Sequence, residues 1–568
     1  MKKTNWLLLV LALVLSMFLA ACSGGSDDTS NSTDDADTEE TDSGDSSSEE
    51  EAATGDSEQV LNLLDTAEIP TMDASLATDA VAFQWLGSTT DGLYRLGEGA
   101  ETEPGIATDH EVSEDALTWT FNLREDAVWS NGDPVTAHDF VYAWQRAVDP
   151  DTGSEYGPYM MNGVIKNAEA VNAGDVPVEE LGVTAEDDYT LVVELEKPVP
   201  YFESLTTFGT FLPLNQSFVE EQGDQYALEA DTLLSNGPFV ITEWNHGEGW
   251  TLEKNEDYWD AENVKLEQIN VRVVKETATG VNLYDTGEVD RVNLSAEFVD
   301  QYSTSDEYRI IEEPTLFYVK MNQENEILSN VNARKAIQMV IDRQGITNTI
   351  LNNGSIPSGG HMPKNFVQHP ESGEDFRELN GDLVQTDVEK AKELWATAKE
   401  ELGIEEAELG YLGGDSEVAQ NMDAFIKDQL EQLEGLTVNV ESVPFQVRLD
   451  RDTAMDYDLQ NSGWGPDYID PNTFMNMYVT DGANNKTGFS SEEYDSLIQK
   501  AGDELALEPA ERFDAFLEAE KILIEEEAVL APLYQRARAQ LLKPYVKGVV
   551  VNPMGPDYNY KHAYIEGK

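Results

Sequence analysis

The chain has 568 residues, 40% of them hydrophobic and 9% aromatic, enough for several domains of packed core. It carries 111 acidic residues against 35 basic ones, a formal net charge of −76. Such a polyanion is excluded from binding nucleic acid or anionic membrane through its surface charge, and fits an exterior kept hydrated in high salt.

At the N-terminus, Lys2 and Lys3 precede the apolar run "WLLLVLALVLSMFLA", which ends in small residues. The run is shorter than the ~20 residues of a spanning helix and has the layout of an export signal, so residues 1–21 are expected to be a signal peptide. Leu19-Ala20-Ala21-Cys22 resembles the lipobox of bacterial lipoproteins. That resemblance implies a diacylglyceryl thioether on Cys22, which would become the first mature residue. Cys22 is the only cysteine, so no internal disulfide can form. Residues 23–58 hold 14 acidic and no basic residues among Ser, Thr and Gly, so 22–58 is expected to be a lipidated, disordered tether. From residue 59 onward the chain still has 97 acidic against 33 basic residues, so the acidity belongs to the folded part too.

From residue 59 onward strands and helices mix without repeats. Strict alternation in "LTWTFNLRE" puts Leu117, Trp119, Phe121 and Leu123 on one face of a half-buried strand. "YTLVVELE" (189–196) and "QINVRVVKE" (268–276) alternate likewise. In "TAHDFVYAWQRAVDP", Thr136 and Asp139 form a capping box ahead of a Phe140, Ala143, Trp144, Ala147 stripe. "TDVEKAKELWATAKEELG" predicts a second such helix, boxed by Thr386 and Glu389, striped by Ala391, Leu394, Trp395 and Ala398, and stopped at Gly403. The fold class is mixed α/β.

Enzyme signatures are missing: there is no G-x-S-x-G elbow, H-E-x-x-H helix or phosphate-binding glycine loop. The six histidines have no helical ligand spacing. "DGANNKTG" (481–488) lacks the turn glycine and bidentate glutamate of a calcium loop. No catalytic residue, metal or cofactor is therefore expected, although among so many acids a glycosidase carboxylate pair would be invisible. The stretch "SGWGPDYIDP" (462–471) stands out, with turn formers around apolar Trp464, Tyr468 and Ile469 and two aspartates, Asp467 and Asp470. It reads as a loop.

Five blocks resemble, in family order, the bacterial extracellular solute-binding proteins of family 5, receptors of ABC importers. They are "GIATDHEVSEDALTWTFNLREDAVWSNGDPVTAHDFVYAWQRAVDP" (105–150), "SNGPFVITEWNHGEGWTLEKNEDYWD" (235–260), "LSNVNARKAIQMVIDRQGI" (328–346), "GWGPDYIDPNTFMNMYVTDGANNKTGFSSEEYDSLI" (463–498) and "APLYQRARAQLLKPYVKG" (531–548). The last blocks look like the oligopeptide-binding branch.

The resemblance implies a bilobed fold that closes on its ligand. It places the first lobe in 59–97, 236–318 and 538–568, an inserted subdomain in 98–235, and the second lobe in 319–537. Trp129, Asn131, Gly132, Asp133 and Pro134 of the first block read as a turn and helix start.

The function implied is a monomeric, lipid-anchored receptor on the extracytoplasmic face of the cell membrane. It would take up oligopeptides and pass them to ABC permease subunits. A nickel complex, an oligosaccharide, or peptide-pheromone sensing are the alternatives. An extended peptide can add as a strand between lobes. Gly463 and Gly465 would let its backbone approach, and Trp464 would offer an apolar wall. Gln84 and Trp85 in "AFQWL" are the matching first-lobe candidates. Tyr534 would pack on a ligand side chain and Arg536 would meet the ligand carboxylate. In the oligopeptide branch the aspartate of the 462–471 loop holds the peptide α-ammonium, which the motif places at Asp467. Asp470, just before Pro471, is expected to cap the following turn.

Overall fold

The computed structural model describes residues 58–97 and 101–568. The expected signal peptide, Cys22 and the expected tether up to residue 57 lie outside the described residues. Three sheets organise the rest. In the first, Val60–Asp65 runs parallel to Gln268–Val273, which continues antiparallel to Gly249–Lys254 and then Phe239–Asn245. In the second, Ala107–Val112, Thr118–Leu123, Thr190–Glu194 and Val183–Asp187 form an antiparallel sheet. The alternation of Trp119, Phe121 and Leu123 buries one face of that sheet. Helix Ala137–Val148 covers it, started by the predicted box: Thr136 N and Oγ1 donate to Asp139 Oδ2 at 2.7 and 3.1 Å. Phe140, Ala143, Trp144 and Ala147 are all buried. One continuous core joins these two sheets.

The third sheet runs in the order Arg291–Asn293, Leu530–Leu542, Tyr308–Met321, Leu459–Trp464, Ala407–Gly414, Leu436–Val443, with Ile356–Pro357 paired to Leu530–Leu542. Its two long strands, of 14 and 13 residues, pair antiparallel along their length, with a register break between Glu312 and Leu316. On one side of the break they pack into a core with Val281, Tyr284 and Val292, and on the other into cores with Ile337, Leu409 and Phe474. Two adjacent strands thus cross between lobes at Glu313–Thr315, the double connection along which such a fold bends. The result is a bilobed α/β protein.

Two local expectations change. Helix Val388–Leu402 buries Ala391, Trp395 and Ala398, with Leu394 half-buried, and stops at Gly403 with φ of 70°. Its cap, however, is Asp387, which accepts from Lys390 N at 2.9 Å. Thr386 instead donates to Ile341 O at 2.6 Å, and Glu389 pairs with Lys392 at 2.9 Å. The neighbouring aspartate is the better acceptor, so it displaces the threonine. The stretch 462–471 is not all loop either: Ser462, Gly463 and Trp464 end a strand, and only then does the chain turn.

Candidate functional site

A cavity of about 610 Å³ opens between the lobes at the crossing strands. Its floor is a row across three strands. Gly463 pairs with Phe317, which pairs with Tyr534, and the Phe317 and Tyr534 rings stack at 5.0 Å with planes 5° apart. A Cβ on Gly463 would come within 2.9 Å of the Phe317 ring, so the glycine is needed for that neighbour as well as for any approaching backbone. Gly465 is similarly close to Thr315 Oγ1, 3.1 Å from where a Cβ would stand.

The strand carrying Gly463 is paired on one side to Leu316–Met321 throughout, but on the other only at Leu459 and Gln460. Beyond Gln460 the backbone of 461–465 borders the cavity with one edge unpaired by any strand. An unpaired edge in a groove is a template for an added strand.

Trp464 forms part of the wall. Its indole donates to Thr473 O at 3.0 Å, and Tyr156 and Tyr159 pack against it at 6.3 and 5.9 Å. Next comes Asp467, buried at 6% exposure, with backbone N donating to Thr473 Oγ1 at 2.9 Å. Its Oδ2 has no hydrogen-bond partner among the described residues. Burial raises its carboxyl well above the ordinary range, and the Thr473 and Tyr159 hydroxyls, which favour the charged form, offset only part of this. Asp470, three residues on, is committed elsewhere. Both its oxygens meet Arg512, at 2.6 and 2.7 Å, and Oδ1 also accepts from Asn472 N at 2.9 Å, fixing the turn.

The cavity's cations are mostly engaged too. Lys320 pairs with Asp452 at 2.8 Å and Lys486 with Glu155 at 3.5 Å. Arg536, expected to be free, is held by buried Glu313, which also takes Arg538 at 2.7 Å. That cluster sits at the register break, where the Arg536 guanidinium also lies 5.6 Å from the Phe317 ring. Among the described residues only Arg448 borders the cavity as a cation without an ion pair; its Nη1 donates to Asn461 O at 2.9 Å.

Gln84 and Trp85 do not reach the cavity. Gln84 exchanges two hydrogen bonds with the Tyr558 backbone, at 2.7 and 2.8 Å. Trp85, 2% exposed, packs against Trp250 and Tyr560. Both serve to dock the C-terminal segment, a long-range contact that no local pattern announces. From the same helix the cavity instead receives Asp79, Ala80, Val81 and Phe83. Asp79, Tyr156, Phe317 and Arg448 are among the lining residues that sequence reasoning missed. The helix N-cap position of Asp79 was the one legible signal.

The lobes are drawn together around the cavity. Tyr159 Oη donates to Thr473 O at 3.3 Å, Lys197 pairs with Asp503 at 2.8 Å, and Thr453 Oγ1 donates to Glu155 Oε1 at 2.7 Å.

The fold recurs in known proteins. The profile of bacterial extracellular solute-binding proteins, family 5 (middle region), matches residues 101–486. The dipeptide-binding protein DppE of Bacillus subtilis is 34% identical over 504 residues, covering 89% of this chain and 91% of its own. Among solved structures, the substrate-binding domain of an oligopeptide ABC transporter from Bacillus anthracis is 46% identical, with a TM-score of 0.87 over 90% of this chain and 99% of its own. Listeria monocytogenes OppA bound to peptide is 43% identical, with a TM-score of 0.86 over 89% and 99%. The lobes are not set as in an open form: the TM-score is 0.80 against Escherichia coli MppA and 0.60 against an MppA structure in its unliganded open form. The chain belongs to the bacterial extracellular solute-binding proteins of family 5.

Proposed function

We propose that this protein binds oligopeptides in the cavity between its lobes and delivers them to an ABC importer, as a receptor rather than an enzyme. The observation that carries the reading is the one-sided strand edge at 461–465 on the cavity. An extended peptide added there would satisfy its amides from main chain, an interaction every peptide sequence can make.

The charges at the cavity suit a zwitterion. Asp467 offers an unpartnered oxygen to an α-ammonium, and Arg448, rather than Arg536, is the cation left for the α-carboxylate. Trp464, Phe317 and Tyr534 would give apolar walls for side chains, with Gly463 and Gly465 keeping the edge open. No metal, cofactor or nucleic acid enters this reading, and a monomer suffices for it. The lipobox supports anchoring through acylated Cys22 on the extracytoplasmic face, where two acyl chains would hold far better than one.

Calorimetry with mixed peptides of three to ten residues, set against an oligosaccharide mixture, tests the reading. Saturable heat from the peptides alone is expected. Heat from the glycans alone would replace peptide by sugar as the ligand.

A further inference from the structure

Two cavity carboxylates bury an oxygen that has no hydrogen-bond partner among the described residues, and the peptide reading employs only Asp467. The other is Asp79, at the N-terminus of the ten-residue helix Ala80–Thr89. Its Oδ1 accepts from Val81 N and Ala82 N, at 2.9 and 3.0 Å, which satisfies the helix's free donors. Its Oδ2 is buried and makes no hydrogen bond, and the residue is only 7% exposed. A cap of this kind normally favours the charged carboxylate. Here burial outweighs the two backbone bonds and raises the group to about 6. At neutral pH a buried charge thus borders the cavity with half of its accepting capacity unused.

The surroundings suit a cation on an aliphatic stem. Phe83, one turn along the same helix, meets Tyr156 at 5.4 Å and Phe208 at 4.5 Å, and all three rings line the cavity. Aromatic faces beside a carboxylate accommodate both the methylenes and the head of a lysine or arginine. Burial raises the Tyr156 phenol, and the charges of Asp467 and Asp79 both add to the rise, so the two carboxylates border one stretch of the cavity. On the peptide reading, that stretch holds the amino-terminal part of the ligand. A peptide without ionisable side chains brings one ammonium and one carboxylate, which Asp467 and Arg448 match. Asp79 is then left uncompensated. The field of Arg448 reaches it, but no hydrogen bond joins the two.

We propose that Asp79 forms a specificity subsite for a basic side chain near the amino end of the bound peptide. The proposal rests on the peptide reading. Capping employs Oδ1 and leaves the buried Oδ2 of this cavity-lining residue without a partner.

The test is calorimetry at pH 7.5 with Lys-Ala-Ala, Ala-Lys-Ala, Ala-Ala-Lys and their norleucine counterparts, on wild type and Asp79→Asn. Asparagine keeps the cap; should that variant not fold, Asp79→Ser, another cap former, replaces it. Lysine at the first or second position should bind about tenfold or more tighter than norleucine, the scale of a hydrogen bond to a charged group. In Asp79→Asn that ratio should fall to about one. Tight binding of all peptides without lysine preference, or a preference that Asp79→Asn leaves intact, would overturn the subsite alone. Equal weakening of every peptide in Asp79→Asn would assign Asp79 to closure against Arg448 and overturn it too. No binding by any peptide would overturn the underlying reading as well.

Discussion

Tyr201 lies flat on Tyr468, ring centroids 4.5 Å apart and planes 1° from parallel, and the stack joins the two lobes beside the cavity. Asn472 Nδ2 adds hydrogen bonds to both hydroxyls, at 2.9 Å to Tyr468 and 3.4 Å to Tyr201. The stack exists only when the lobes are together, so it stabilises the closed state. Aromatic pairs contribute about 0.5–1.5 kcal/mol beyond area burial. Tyr201→Leu should therefore weaken peptide affinity several-fold, mainly by faster release, with the thermal stability of the peptide-free protein little changed. Stopped-flow dissociation checks this; an unchanged off-rate would remove the stack from the closing contacts.

Trp464 should report occupancy. Its ring borders the cavity between Tyr156 and Tyr159, where an added strand would change its surroundings. Peptide titration should shift tryptophan emission saturably, and Trp464→Phe should remove most of the signal. An undiminished signal in Trp464→Phe would place the reporting tryptophan elsewhere.

Stability should rise on mild acidification. Burial raises Asp79 and Asp139 to about 6 and Asp423 to about 7, from the ordinary 3.8. An acid whose folded pKa lies above its unfolded one binds protons preferentially when folded, so its stabilising contribution is present at low pH and is lost as pH rises through about 4 to 7. The peptide-free protein should melt a few degrees higher at pH 5 than at pH 7.5. Asp423→Asn should shrink that difference. A melting point lower at pH 5 than at pH 7.5 would contradict this balance.

Much of this architecture was legible in the chain. Alternation gave strand Thr118–Leu123, and the Thr136–Asp139 box gave the start of helix Ala137–Val148, because both depend on neighbours in sequence. What was not legible depends on distant partners. Gln84 and Trp85 look available until Tyr558 and Tyr560 dock on them, some 470 residues later. Arg536 looks free until Glu313, across the crossing strands, takes it. Arg448 carried no sequence signal, since only the pairing of every other lining cation singles it out.

Cys22, outside the described residues, leads to a cellular prediction. If it carries the anchor, Cys22→Ala should appear in the medium or remain unprocessed, as fractionation would show. Full membrane retention of that variant would count against the lipobox reading.

The central claim is that Asp467 holds the peptide's amino end. A dehydrated ammonium in a closed cleft needs a carboxylate, and Asp467 presents one with an unused oxygen. The most direct measurement is a cycle with one change on the protein and one on the ligand: wild type and Asp467→Asn, each titrated with free and N-acetylated forms of one peptide. Asp467→Asn should cost the free peptide about 2–4 kcal/mol, near the cost of breaking a buried charge pair, and the acetylated peptide much less. Equal cost to both peptides would show that Asp467 does not hold the amine.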